Sequence, residues 1–339
     1  MDGKRASANR PVRIEDVARE AGVSPITVSR ALSYPDKVKE ETRRHVAEAV
    51  AKTGYVLNSF ASSLRSGRST IVTVFISSLQ NPHFASAIQG TIDAFEGSRF
   101  HLMFAQTGYS EALEIGVVNS VLPFRPAGVM FTGVVRSDDS RAALQRLGIP
   151  IMELFSYRPD PIDMLVGSSG IEGGRLMGEH FGTAGFKRIA YCGHAQERGA
   201  QRLEGFRAGL APFGLEVSHV EPMEGTRSIS DGIEAFDAIV AALADCDSMF
   251  FGTDVLAIGA SLRARQRGIA VPTQIAIAGY GDLDLARHMA PSLTTVGTAS
   301  YQMGLDAGKM LLRRLNDETV DTPIILHPVS LEVRDSTRR

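Results

Sequence analysis

The chain has 339 residues, 44% of them hydrophobic and 22% charged, with 33 Gly and 15 Pro, which is globular composition and excludes collagen-like and low-complexity classes. Only two Cys occur, Cys192 and Cys246, so there is no disulfide framework and a reducing cytoplasm is expected; no apolar run approaches the ~20 residues of a membrane helix. The net charge of −2 is unevenly spread: residues 1–70 carry 13 Lys+Arg against 8 Asp+Glu, leaving 23 of the 36 Lys+Arg and 30 of the 38 Asp+Glu for residues 71–339. A basic head on an acidic body points to a head that meets a polyanion.

Residues 1–10, MDGKRASANR, read as a flexible arm without the apolar stretch of a secretion signal. Ile14, Val17, Ala18 and Ala21 then mark one face of a helix, and Gly22 is a good stop. Ser24 can cap a second helix with Pro25 at its first position; Val28, Ala31 and Leu32 give it a buried side. After a turn around 34–36, residues 40–52 predict a third helix with Val46, Ala47 and Val50 inward and Gly54 at its end. Three short helices, the second entered through a tight turn, are the pattern of a helix-turn-helix DNA-binding domain over 11–57.

Residues 58–70 are short and Ser-rich, and alone would be marginally helical. Asn58 can cap the segment, and Phe60, Ala61 and Leu64 share a face. It is a linker or a hinge helix that folds on contact with a partner. From residue 71 to 339 strand and helix alternate. Strands are expected at 71–76, 100–105, 128–131 and 150–155, then at 189–192, 216–220, 248–251 and 274–278. This rhythm predicts an α/β body of two parallel-sheet lobes, with ligands bound beyond the carboxyl ends of the strands in the cleft between them.

There is no G-x-G-x-x-G after a strand, no G-x-x-x-x-G-K-[ST], no G-x-S-x-G and no H-E-x-x-H. No catalytic residue, cofactor or metal is therefore assigned, and the nearby Cys192 and His194 are read as structural. A non-enzymatic binding protein is expected.

The run from Ile14 to Leu32, IEDVAREAGVSPITVSRAL, closely resembles the helix-turn-helix signature of the LacI/GalR (lactose-repressor) family. Gly54-Tyr55-Val-Leu-Asn58 with Ala61 and Leu64 resembles its hinge. Val271-Pro-Thr-Gln-Ile-Ala-Ile-Ala-Gly279-Tyr280 and Pro291-Ser-Leu-Thr-Thr295 match its late motifs. The resemblance implies a small all-α head on a periplasmic-binding-protein-like body. It implies a cytoplasmic, homodimeric transcriptional repressor, without a membrane partner, that binds double-stranded operator DNA and is controlled by a small sugar or sugar acid. A looser similarity to gluconate-operon repressors includes Ile149-Pro-Ile-Met-Glu153-Leu. The chain departs from the family where Asn-Asp is replaced by Thr253-Asp254, Asp-Asp by Gly281-Asp282, and Asp-Asn by Ser168-Ser169.

On this resemblance the DNA contacts are Ser24, Pro25, Ile26, Thr27, Ser29 and Arg30 of the recognition helix, followed by Asn58, Ala61, Leu64 and Arg65 of the hinge. Pro25 and Ile26 can read only shape or a thymine methyl, or else serve helix start and packing. Asn58, Arg65 and Arg68 are phosphate candidates. Leu64 would wedge into the minor groove, or pack between hinge and body. The effector candidates are Ser77 and Phe84, just past the first strand where a parallel sheet presents ligand groups, Arg202, which matches the family's effector-binding arginine, and Glu153, Thr253, Asp254 and Asp282. A guanidinium at 202 suits carboxylates and vicinal hydroxyls. Ser77, Thr253 and Asp254 would bond hydroxyls or cap helices, and Phe84 would stack on a sugar face.

Overall fold

The computed structural model describes residues 10, 12–33, 35–55, 69–194, 198–223 and 228–338. The expected arm and the hinge residues Asn58, Ala61, Leu64, Arg65 and Arg68 lie outside the described residues. Contacts divide the chain into two units, Met1–Ser69 and Thr70–Arg339.

The first unit holds α1 (Ile14–Ala21), α2 (Pro25–Ser33) and α3 (Glu40–Thr53). Val17, Ala18, Val28, Ala31, Val46 and Ala49 form its core. α1 and α3 both stop on a left-handed glycine, Gly22 at φ 66° and Gly54 at φ 67°, a conformation in which a Cβ would be strained. The Ser24 hydroxyl oxygen accepts the Thr27 N–H at 3.2 Å and so caps α2. One expectation fails in detail. Ala47 is exposed and Ala49 buried, because the inward stripe of α3 runs through 46, 49, 50 and 53 at helical spacing.

The second unit is built on two six-stranded sheets. In lobe one the strands are β1 (Ile71–Ile76), β2 (His101–Gln106), β3 (Gly128–Phe131), β4 (Ile151–Ser156), β5 (Met164–Ser168) and β11 (Ile324–His327), ordered β11-β5-β4-β3-β1-β2. In lobe two they are β6 (Ile189–His194), β7 (Val217–Met223), β8 (Ser248–Phe251), β9 (Ala276–Gly281), β10 (Thr294–Gly297) and β12 (Ser330–Glu332), ordered β12-β10-β9-β8-β6-β7. All pairings are parallel except β10 with β12. The chain passes between lobes after β5, after β10 and after β11.

Lobe one carries α4 (Pro82–Phe95), α5 (Glu111–Val121), α6 (Asp138–Leu147) and α12 (Ser300–Leu315). Lobe two carries α7 (Gly170–Ala184), α8 (Arg198–Leu210), α9 (Ile229–Ala242), α10 (Asp254–Gln266) and α11 (Asp284–His288). The α7–α8 pair touches backbone to backbone: a Cβ on Gly205 would fall 1.8 Å from the Ile171 carbonyl oxygen, and one on Gly174 would fall 2.1 Å from that of Arg202. The strand expected at 274–278 starts later, because Gln274 closes a turn with Ala270 through bonds of 2.6 and 2.9 Å. β5, β10, β11 and β12 were not expected from the sequence. No helix among the described residues is long and apolar enough to cross a membrane.

Candidate functional site

Two surfaces carry candidate residues. On the head, α2 turns Val28 and Ala31 into the core, which leaves Pro25, Ile26 and Arg30 exposed and Ser29 half-buried on the opposite side. Ile26 is 71% exposed, far more than a packing residue would be. Ser24 and Thr27 share a hydroxyl bond of 2.9 Å at the start of the helix, so both are tied into the cap.

In the body a cleft opens where the carboxyl ends of the two sheets face each other. Lobe one lends it His83 and Phe84 from the start of α4, Tyr109 from beyond β2 and Arg136 from beyond β3. Lobe two lends His194, Arg198 and Arg202, the 252–254 turn beyond β8, and Tyr280 of β9. The rings of Tyr109 and His194 face each other across the lobes at 6.3 Å.

Local structure fixes these groups. The Asn81 side chain accepts the His83 N–H at 3.1 Å and caps α4, with Pro82 at the first position. The His83 Nδ1 lies 3.0 Å from the Ser300 hydroxyl. Burial, then the nearby Arg202 and Arg198 guanidiniums, hold the His83 pKa down at about 3, so its ring is neutral. Arg202 rests on Tyr280, its guanidinium carbon 3.7 Å from the ring centre, and its Nη1 donates to the Gly252 carbonyl oxygen. The Arg202 Nε is buried without a hydrogen-bond partner, a donor that a ligand oxygen would satisfy.

Asp254 is buried and accepts the Leu283 N–H at 2.7 Å and the Thr295 hydroxyl at 2.5 Å. Burial pushes it up to about 6 despite those bonds. Thr253 caps α10, accepting the Leu256 N–H at 3.4 Å. Arg136 is presented by a turn held by two buried carboxylates. Glu114 accepts the N–H groups of Arg136 and Ser137 at 3.0 and 3.2 Å, and Glu153 accepts that of Val135 at 2.8 Å.

Four expected effector residues, Phe84, Arg202, Thr253 and Asp254, therefore line one cleft. Three others do not. The Ser77 hydroxyl turns away to donate to the Thr132 carbonyl at 3.4 Å. Glu153 is spent on backbone N–H groups of Val135 and Ile162, and burial raises its pKa. Asp282 pairs with Arg334 at 2.6 Å and Arg287 at 3.0 Å, on a neighbouring groove. Sequence reasoning missed His83, Arg136, Arg198 and Tyr280. One signal was present: Arg198 and Arg202 stand four apart on a helix, a like-charge spacing that destabilises unless an anion lies beside it. Among the described residues no cluster of three or more His, Cys, Asp or Glu is placed to hold a metal ion.

A model of bacterial regulatory proteins of the lacI family matches residues 13–58, and a periplasmic binding protein-like domain matches residues 179–337. The chain is 32% identical over 342 residues to the HTH-type transcriptional regulator GntR of Pseudomonas aeruginosa, a match that covers 99% of this chain and 98% of that protein. A crystal structure of a LacI family transcriptional regulator from Silicibacter pomeroyi is similar at a TM-score of 0.89 and 31% identity, covering 97% of this chain and 100% of that one. The lac repressor dimer bound to operator and the anti-inducer ONPF shares the fold at a TM-score of 0.79 and 23% identity, covering 97% of this chain and 100% of that one.

Proposed function

The chain belongs to the lacI family of bacterial regulatory proteins and is a DNA-binding transcriptional regulator; from that premise we propose that it is a cytoplasmic, homodimeric repressor controlled by a sugar acid bound between the lobes of its body. One observation carries the choice of an acid. Among the described residues the cleft is lined by Arg136, Arg198 and Arg202 and by one carboxylate, that of Asp254, which is itself buried and committed to Leu283 and Thr295, while Arg136 pairs with Glu114 at 3.5 Å. Such a site favours an anion with hydroxyl groups over an uncharged sugar.

The head supplies the reading of DNA. Pro25, Ile26, Ser29 and Arg30 enter the major groove, where exposed Ile26 meets a thymine methyl and Arg30 a guanine edge or a phosphate. Asn58, Ala61, Leu64 and Arg65 are assigned to the hinge contacts by resemblance alone. Two copies are required because two heads read a two-fold-related site. The effector acts by linkage: it binds one arrangement of the lobes better, and operator DNA biases the same equilibrium.

The test is a thermal-shift and calorimetry series on the full chain with D-gluconate, D-galactonate, D-glucose and D-glucitol. An acid at 100 times its Kd adds about 2.7 kcal/mol of stability. Arg202→Ala weakens its binding by about tenfold or more and leaves operator affinity without effector near wild type. Stabilisation by the neutral sugars alone would sink the acid reading.

A further inference from the structure

The stretch that follows β12 is sewn into lobe two. Ser336 and Thr337 are buried. The Ser336 hydroxyl donates to the Ile277 carbonyl oxygen of β9 at 2.6 Å and accepts the Thr294 N–H of β10 at 2.8 Å. The Thr337 Oγ1 lies 2.7 Å from that of Thr294 and 2.8 Å from the His180 Nε2. Arg334 opens this stretch with a side chain only 15% exposed. Its Nη1 donates to the Leu293 carbonyl oxygen at 2.9 Å. Its Nη2 donates to the Asp282 carboxylate at 2.6 Å, where Arg287 adds a second bond at 3.0 Å.

The anchorage matters at Asp282, whose φ of 49° lies in the left-handed region that residues other than glycine enter at a cost. Two guanidiniums on its carboxylate hold it there. The turn so fixed delivers both donors that Asp254 receives. The Leu283 N–H reaches one Asp254 oxygen directly at 2.7 Å. The Asp282 N–H donates to the Thr295 hydroxyl at 3.3 Å, and that hydroxyl donates to the other Asp254 oxygen at 2.5 Å. Asp254 packs closely against β9, since a Cβ on Gly279 would fall 2.2 Å from its Oδ1. Moving the turn would leave a buried carboxylate short of donors, so the turn and Asp254 shift together or not at all.

Arg202 stands on two supports, and both adjoin this knot. Tyr280, whose ring centre lies 3.7 Å from the guanidinium carbon, is two residues before Asp282. Gly252, whose carbonyl oxygen accepts from the Arg202 Nη1, is two residues before Asp254. We propose that Arg334 is a positioning residue for the ligand site: from outside the cleft, through Asp282 and Asp254, it holds the two supports that aim Arg202. Arg334 itself does not line the cleft. The proposal rests on the sugar-acid reading for its ligand. It adds that affinity is set in part by the stretch after β12, which the ligand never touches.

The experiment is hydrogen exchange on the full chain without ligand, paired with calorimetry using D-gluconate and D-galactonate. Arg334→Gln speeds exchange over residues 280–285 by about tenfold or more. It weakens acid binding by about fivefold or more, and Arg334→Lys, which keeps the charge but not the fork, recovers part of both. In an Arg202→Gln background the same Arg334→Gln change costs no further affinity, because its effect passes through Arg202. Asp282→Asn cuts the tie from its other end in a residue type that tolerates the left-handed region, and gives the same pair of losses. Arg338→Gln leaves both readouts at wild type, since Arg338 is exposed and bonded to Val333 and Asp335 of its own stretch. Melting temperatures verify that each variant remains folded. Unchanged exchange over 280–285 in Arg334→Gln, or an equal loss of acid affinity with and without Arg202, overturns the proposal. A wild type that binds neither acid removes the sugar-acid reading, and the exchange comparison, which needs no ligand, still decides whether Arg334 holds the turn.

Discussion

Head and body use arginine in opposite directions. Among the described residues of the head, cations stand outward: the side chain of Arg19 is 75% exposed and that of Arg44 67%, and Arg30 is exposed on the recognition helix. In the body the cleft arginines turn inward, with the Arg136 side chain only 10% exposed and the Arg202 Nε fully buried. On the proposed reading the same side chain serves two sizes of anion. Outward charges spread over a surface suit an extended polyanion, whereas inward charges backed by rings suit one small anion chosen by shape.

The contrast is tested most severely by salt. Between 50 and 200 mM salt, operator affinity is expected to fall by roughly a thousandfold or more if six or more phosphates are contacted, because condensed counterions are released. Affinity for a sugar acid is expected to move far less, since charges inside a cleft are weakly screened. Equal slopes in gel-shift and calorimetric titrations would erase the distinction.

The next effect is confined to the body. Asp254 has a folded-state pKa of about 6, above the usual carboxylate value of about 4. A raised carboxyl pKa favours the folded state while the group is protonated in both states. Its contribution is fully present below pH ~4 and is lost as pH rises through 6, about 3 kcal/mol in all. Asp237 and Glu172, held low by hydrogen bonds from Arg263 and Arg175, run the other way. The informative quantity is thus the difference between wild type and Asp254→Asn in urea unfolding from pH 4 to 7. It should change sharply across that window, and parallel curves would refute the assignment.

The smallest expected effect lies on the head. Arg30→Ala should cost about 1–3 kcal/mol of operator affinity, with no change in melting temperature, because the side chain is exposed and supports no core. Unaltered binding in a gel-shift titration would mean that α2 reads DNA through Ile26 and Ser29 without it.

The sequence made the local features plain and hid the long-range ones. The three head helices were legible because each is closed by a residue of fixed meaning: Gly22, Ser24 with Pro25, and Gly54. β1, β3 and β8 fell where apolar runs placed them. β5, β10, β11 and β12 are 3–5 residues long, and β11 and β12 form edges completed by the far end of the chain, a pairing with no local periodicity. The cleft divides the same way. Arg202 was legible by resemblance and Phe84 by its place after β1. Ser77 and Glu153 were misplaced because residue type alone does not show where a side chain turns. His83 and Arg136 owe their roles to contacts with residues distant in sequence, including Ser300 and the buried Glu114.

The contact between α7 and α8 has a consequence for how this regulator could be retooled. Because the helices meet through Gly174 and Gly205 with no side chains interposed, the height and rotation of α8 are set by main chain against main chain. The positions at 198 and 202 are therefore mounted on a platform that does not depend on what they carry. Substitutions there exchange the chemistry offered to a ligand while the mount stays where it is. The same change placed at a glycine of the seam would shift the platform itself. New ligand preferences are thus reachable by changing side chains on the cleft side of α8, within a framework that holds the rest of the lobe constant.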